Sequence, residues 1–207
     1  MSAELFNAYA KEYDAWFNTN LFAYQSELES LKRVVPESGK GLEIGVGTGR
    51  FALPLNVFVG LDPSMNMLKI AQSRGIKVVL GYGQNLPFRV EEFDWVLINT
   101  TLCFGEKPGE ILKEAKRTIK RGGRVIIGMI DKKGPLGRYY EKRESTFYRH
   151  ADFQSADDVV ESLRTLAFKD FRFYQTIFGP PGEINAIHNS KEGYGEGGFV
   201  AIQGRRA

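Results

Sequence analysis

The chain has 207 residues and a formal net charge of +3, from 28 Lys and Arg against 25 Asp and Glu. That length fits one generous domain, and the near balance excludes the strong positive field of a nucleic-acid or anionic-membrane binder. A single cysteine, Cys103, excludes an internal disulfide and fits a reducing compartment; with no leader-like opening and no apolar run of spanning length, the sequence predicts a soluble, cytoplasmic protein.

Residues before Gly39 read as helical. Tyr9, Tyr13, Trp16 and Phe17 lie in a first segment, which Asn18, Thr19 and Asn20 interrupt. Leu21, Tyr24, Leu28, Leu31 and Val35 then recur at three- and four-residue steps, with Glu27, Glu29, Lys32 and Arg33 assigned to a wet face. Pro36 and Gly39 end this second helix. From Gly41 the chain reads as a short apolar strand entering a loop with Gly45, Gly47 and Gly49 at alternate positions. Glycine serves where the backbone turns through positive φ or touches a ligand, and an α/β sheet puts such a loop where small molecules dock. Phosphate-cradling and dinucleotide loops, counted from Gly45, both want a small residue where Arg50 stands. Glu43 would repel a pyrophosphate and attract a cation.

Phe51–Leu55 offers a short helix that Pro54 keeps brief. Val57–Leu61 is a second strand ending at Asp62, close to the ~20-residue spacing of an acid that accepts ribose hydroxyls. Ser64 caps a helix over Met65–Arg74, and Gly75 closes it. Ile76–Leu80 and Phe93–Asn99 read as the third and fourth strands. Pro108 opens a helix with Ile111, Leu112, Ala115 and Ile119 on one side and a cationic last turn at Lys116–Arg121. Gly122 and Gly123 stop it, and Arg124–Asp131 is a fifth strand. Cys103 reads as a small buried hydrophobe. From Lys132 to Gln154 the pattern dissolves into charge, glycine and aromatics, among them Tyr139, Tyr140, Phe147, Tyr148 and Phe153, and an interruption of that kind points to function. Ser155 to Asp158 forms a capping box ahead of a helix carrying Val159, Val160, Leu163 and Leu166. Phe171–Phe178 alternates as a half-exposed strand, and Gly197–Gln203 supplies the last one.

Four segments carry a resemblance. Glu43 to Gly49 fits [DE]-x-G-x-G-x-G; Asp62-Pro63-Ser64-Met65-Asn66-Met67-Leu68 follows one strand later; Gly81 to Phe88 is close to G-D-A-x-x-L-P-F; and Phe93-Asp94-Trp95-Val96 fits F-D-x-V. In that order they resemble the class I S-adenosylmethionine-dependent methyltransferases, over most of the chain and most strongly from Gly41 to Asp131. The resemblance implies a doubly wound α/β fold: a seven-stranded, mostly parallel sheet with an antiparallel last strand and helices on both faces. It implies S-adenosylmethionine as cofactor, held by Tyr13, Glu43, Gly45, Val46, Gly47, Thr48, Asp62, Pro63, Met67, Gly83, Gln84 and Asn99. Residues 1–38 become either a lid or simply an amphipathic core face, 39–131 the cofactor-binding core, 132–154 a substrate-facing insertion, and 155–207 a closing helix with two strands of the same domain. Tyr82 departs from the pattern, standing where an acid would accept the adenine amino group. The Gly83 amide still suits an adenine nitrogen, with Gln84 accepting or Tyr82 packing on the ring.

A sulfonium already activates its methyl group, so orientation, which alone supplies about 7–11 kcal/mol, leaves little need for further catalytic groups. His150 is the one candidate base, and His150 with His188 does not make a metal site. The end of the fourth strand lacks the [DNS]-P-P-[YF] and Pro-Cys signatures of base-methylating enzymes. The near-neutral charge and the aromatic insertion at 132–154 favour a small-molecule acceptor over nucleic acid. Two rivals stay open. A nicotinamide-dependent reductase of the short-chain type requires Tyr-x-x-x-Lys, for which Tyr139 and Arg143 are the nearest approach; a non-catalytic S-adenosylmethionine or nucleoside-binding module is the other.

Overall fold

The computed structural model describes residues 2–142 and 146–207, so Arg143, paired above with Tyr139 as the nearest approach to a reductase motif, lies outside the described residues. In chain order come α1 (Ser2–Ala8), α2 (Ala10–Thr19), α3 (Leu21–Lys32), β1 (Gly41–Ile44), β2 (Val59–Asp62), α4 (Met65–Ser73), β3 (Val78–Leu80), β4 (Phe93–Asn99), α5 (Pro108–Thr118) and β5 (Ile119–Ile130). They are followed by α6 (Pro135–Glu141), α7 (Ala156–Thr165), β6 (Phe168–Thr176), β7 (Lys191–Glu192) and β8 (Phe199–Arg206), with short 3-10 turns at Leu102–Phe104, Tyr148–His150 and Pro181–Glu183.

The strands form one sheet in the order β3-β2-β1-β4-β5-β8-β6-β7. Strands β1 to β5 pair in parallel, whereas β8 runs antiparallel to both β5 and β6. The expected architecture is present with one addition, β7, which pairs antiparallel with β6 over two residues and is too short to leave a periodic signal. Every residue of β1 and β2 is buried, as parallel strands covered on both faces require.

Alternate side chains of the sheet feed two cores. On one face Val96, Ile98, Val125 and Ile127 pack with Ile111 and Leu112 of α5 and Val159 and Leu163 of α7. On the other, Trp95, Leu97, Ile126 and Phe199 pack with Phe17 of α2, Leu28 and Leu31 of α3, Leu68 of α4 and Leu136 of α6. Each such side chain contributes about 1.5–3 kcal/mol on burial. The strand order reverses between β1 and β4, so the loops leaving their carboxyl ends diverge and open a crevice there.

Several boundaries differ from the sequence reading. Residues 50–56 are a run of turns rather than a helix; Gly49 at φ +79° and Asn56 at φ +53° bend the chain at either end. Strand β5 starts at Ile119, which pairs with Phe93, and its ladder slips before Arg124 pairs with Trp95. Gly122, at φ +74°, therefore kinks the strand instead of ending the helix. Strand β6 begins at Phe168, and its ladder also slips, between Lys169 and Arg172, with Asp170 at φ +55°. That irregularity hides the alternation ahead of Phe171. Glu27, assigned above to a wet face, is only 7% exposed; its face of α3 is covered by Tyr140, Phe147 and Tyr148 from the 132–154 segment.

Candidate active site

The crevice is a cavity of about 450 Å³ whose floor is Ile44, Leu61, Asp62 and Asn99, the carboxyl ends of β1, β2 and β4. Glycine shapes it at two points. At Gly45, φ is +75° and an added Cβ would run into Thr101, so only glycine lets the loop pass beneath that residue. At Gly83 an added Cβ would lie 2.8 Å from Ile44 Cγ2. The backbone amides of Gly45 and Val46 both donate to the Leu61 carbonyl, at 2.7 and 3.0 Å, which ties the glycine loop to the end of β2.

Asp62 links the loop to the next helix. Its Oδ2 accepts from the Gly47 amide at 2.9 Å and its Oδ1 from the Ser64 amide at 2.8 Å. Burial nevertheless pushes its carboxyl up to about 6, outweighing those two hydrogen bonds. Ser64 in turn caps α4, its Oγ accepting from the Met67 amide at 3.2 Å. Pro63 and Met67 line the cavity beside Asp62; Tyr82, Gly83 and Gln84 line it from the loop after β3. Tyr82 is 56% exposed.

Glu43 sits one strand over, on β1, and is almost fully buried. Burial, followed by the charge of Asp62, pushes its carboxyl well above the usual carboxylate range. Among the described residues its Oε2 is buried without a hydrogen-bond partner, as is Oδ1 of Asn99 at the end of β4. Unpaired buried oxygens of this kind are rare and costly. Asn99 fits only because Gly128 on β5 has no side chain, since an added Cβ would occupy the place of Asn99 Oδ1. The chain then turns sharply, with Thr100 at φ +48° and its amide donating to the Gly128 carbonyl at 2.7 Å.

The N-terminal helices cover the cavity. Tyr13 stands over the glycine loop, its ring edge 3.9 Å from where a Gly47 Cβ would be, and Ala3, Glu4 and Phe6 complete that wall. Polar anchors hold them. Asn7 accepts from the Asn66 amide at 3.0 Å and from Ser64 Oγ at 3.2 Å. Asp14 takes two hydrogen bonds from Arg50 and one from Arg74. Burial works against the Asp14 charge, but these bonds prevail and hold its carboxyl far below the usual range.

Of the residues singled out in the sequence, Tyr13, Gly45, Gly47, Asp62, Pro63, Met67, Gly83, Gln84 and Asn99 line this one cavity. Glu43, Val46 and Thr48 do not. The Val46 side chain packs on β2, where a Cβ at Gly60 would lie 2.5 Å from Val46 Cγ2. Thr48 is buried and its carbonyl accepts from Arg74 at 2.6 Å. His150 requires a correction: it is exposed, its Nε2 is met by Arg149, and it lines neither this cavity nor the smaller one beside it. Burial pushes the Cys103 thiol up to about 12, in keeping with a packing role. The end of β4 read from the sequence as facing the methyl group does so, since Thr100 and Thr101 line the cavity with Asn99; sequence reasoning missed Phe6 and Phe104 as lining residues, and it missed the burial of Glu27.

Residues 42–127 match the family model described as a methyltransferase domain. A crystal structure from Thermotoga maritima, described as a SAM-dependent methyltransferase and possible histamine N-methyltransferase, superposes with a TM-score of 0.95. It is 45% identical, with 99% of each chain covered. An uncharacterized protein of Methanocaldococcus jannaschii is 52% identical over 98% of both chains. The demethylmenaquinone methyltransferase of Staphylococcus aureus is 30% identical over 97% of this chain and 86% of its own length. The orphaned oxygens of Glu43 and Asn99, beside Asp62 and the glycine loop, suit a nucleoside carrying positive charge, and the chain belongs to the class I S-adenosylmethionine-dependent methyltransferases.

Proposed function

We propose that the chain transfers the methyl group of S-adenosylmethionine to a small-molecule acceptor, and that the cofactor lies in the 450 Å³ cavity. The observation that carries this assignment is the pair of buried acids, Glu43 and Asp62, flanking a glycine loop with an unpaired Glu43 oxygen. In this reading Asp62 receives the ribose hydroxyls through the lone pairs its two amide donors leave free. Pro63 and Met67 flank the adenine, and the Gly83 amide donates to a ring nitrogen. Gln84 accepts from the amino group, in place of the acid that Tyr82 replaces. Gly45 and Gly47 admit the methionyl portion close to the backbone; Asn99 supplies a dipolar oxygen for its ammonium, and Glu43 adds negative charge from just behind the cavity lining. Val46 and Thr48 shape the loop without touching the ligand.

The cofactor supplies an activated methyl on a sulfonium. The chain holds the acceptor in line with it and keeps water out, through α1, α2 and Tyr13 above the loop and the 132–154 segment at the side. Residues 1–38 thus act as a lid, and 132–154 as the acceptor-facing wall. Thr100 lines both the cofactor cavity and the smaller one beside it, where the two would meet. Among the described residues no helix is long and apolar enough to cross a membrane, and the single unpaired cysteine suits the cytoplasm. The near-neutral charge favours a metabolite over nucleic acid.

Incubation with S-adenosylmethionine and a metabolite pool, read by mass spectrometry, tests the assignment. A product heavier by one methylene supports it. Calorimetry in which NADH binds and S-adenosylmethionine does not would favour a reductase instead, and cofactor binding with no methylated product would favour a binding module.

A further inference from the structure

Beside the cofactor cavity lies a second one of about 100 Å³, and Tyr13 and Thr100 line both. Seven of its ten lining residues are aromatic, contributed by α2, α6, the turn after β1 and the segment around Tyr148. The rings brace one another: Tyr140 and Tyr148 lie 4.1 Å apart between centroids, Trp16 and Phe17 5.2 Å, Tyr13 and Phe147 5.4 Å. Among the described residues the one ionisable carboxyl in this wall is Glu27 of α3, 93% buried. Among the described residues no hydrogen bond or ion pair engages it, and no cationic side chain lines the chamber.

A carboxyl in such a place is expensive as an anion. Burial pushes it up to about 8. The titratable groups facing it are Tyr13 on α2, Tyr24 on its own helix, Tyr140 on α6 and Tyr148 beyond it, all pushed upward by burial first and by the charge on Glu27 as a further cause. None of them offers a positive charge. Aromatic faces around a lone carboxylate are the chemistry that recognises an organic cation: the ring quadrupoles attract it and the carboxylate neutralises it. The space matches an ammonium head with a few carbons, since a water occupies about 30 Å³ of liquid.

We propose that this chamber is the acceptor subsite and that it takes the ammonium head of a small amine, with Glu27 as its counter-ion. The rest of the acceptor passes Thr100 and Tyr13 into the cofactor cavity. The assignment rests on the methyl-transfer reading above and adds the acceptor's chemical class to it.

The test uses the whole protein saturated with S-adenosylhomocysteine and follows the fluorescence of Trp16, which lines the chamber. The probes are tetramethylammonium, which cannot be methylated, and neopentyl alcohol, its neutral counterpart of similar shape. Tetramethylammonium is expected to give a saturable change that neopentyl alcohol does not, and Glu27→Gln to weaken it at least tenfold while leaving the affinity for S-adenosylhomocysteine unchanged. The comparison of the two probes needs no variant, so it stands even if the substitution perturbs folding. Equal responses to both probes, or tighter binding of an uncharged naphthoquinol at the same site, would overturn the amine assignment while leaving methyl transfer intact. Failure of S-adenosylhomocysteine to bind would overturn the methyl-transfer reading itself, and the subsite with it.

Discussion

Arg50 grips Asp14 with two hydrogen bonds of 2.9 Å, from Nε to Oδ1 and from Nη2 to Oδ2, and so fastens helix α2 to the residue that ends the glycine loop. Arg74, at the end of α4, closes on the same carboxylate at 2.8 Å. The pair is four-fifths buried, where ion pairs are less screened than at the surface. Tyr13, the residue before Asp14 on α2, stands over Gly47.

Replacing Asp14 with asparagine removes the charge that both arginines share. The core contacts of α2 through Phe17 remain, so the fold survives, but the cover over the loop is held open for a larger fraction of the time. Affinity for S-adenosylmethionine is expected to fall about 10- to 100-fold, since each tenfold corresponds to about 1.4 kcal/mol. Calorimetry on wild type and D14N checks this, and unchanged affinity would show that α2 is not part of the closure.

Glu27 bears on stability as well as on binding. Its carboxyl titrates near 8 in the folded chain, against about 4.5 for an exposed glutamate. The folded state therefore holds the proton more tightly than the unfolded chain, and stability falls as pH rises from about 4.5 towards 8. At pH 7 the cost is about 3 kcal/mol, at 1.36 kcal/mol per unit. Glu27→Gln removes the titration and is expected to raise the melting temperature by several degrees at pH 8 and by little at pH 5. A shift independent of pH would contradict this.

The two cofactor-site acids titrate in the same sense. Burial raises Asp62 to about 6 and holds Glu43 well above the usual carboxylate range, so the empty site carries protons that a bound cation would displace. Binding of S-adenosylmethionine is expected to tighten as pH rises from 5 to 7, below the range near 8 where an α-amino group loses its own charge. Glu43→Gln should flatten the slope. Calorimetry in buffers of different ionisation enthalpy would also register the released proton, and a flat profile in wild type would rule out the linkage.

At Gly45, alanine would need φ +75° and would place its Cβ 2.5 Å from Thr101 Cγ2 as well as against the hydroxyl. The backbone strain alone costs about 1–3 kcal/mol. G45A is expected to lower the melting temperature by a few degrees and to weaken the cofactor at least tenfold; near-wild-type binding would mean that the loop does not approach the ligand.

The sequence carried the parts of this site that depend on local chemistry. The glycines at 45, 47 and 49 mark positive φ, Asp62 ends a buried strand at the expected spacing, and β4 spans Phe93–Asn99 around its apolar run Trp95–Ile98. What lay beyond reach depends on distant parts of the chain. Gly122 looked like a helix stop because nothing local says that Ile119 will pair with Phe93. Residues 51–55 looked helical because their composition hides the left-handed turn at Asn56. Glu27 was placed on a wet face although it falls three residues after Tyr24 and four before Leu31, on the buried stripe itself. That spacing was the available signal, and the charge concealed it. The aromatics that cover Glu27 come more than 110 residues later in the sequence.

The most direct measurement is a crystal structure with S-adenosylhomocysteine bound. The account predicts the ribose hydroxyls on Asp62, the adenine between Met67 and Gly83, and the ammonium beside Glu43 and Asn99, with Tyr13 closed over the loop. Ligand density outside this cavity, or a bound ribose that leaves Asp62 with only its two amide partners, would contradict it.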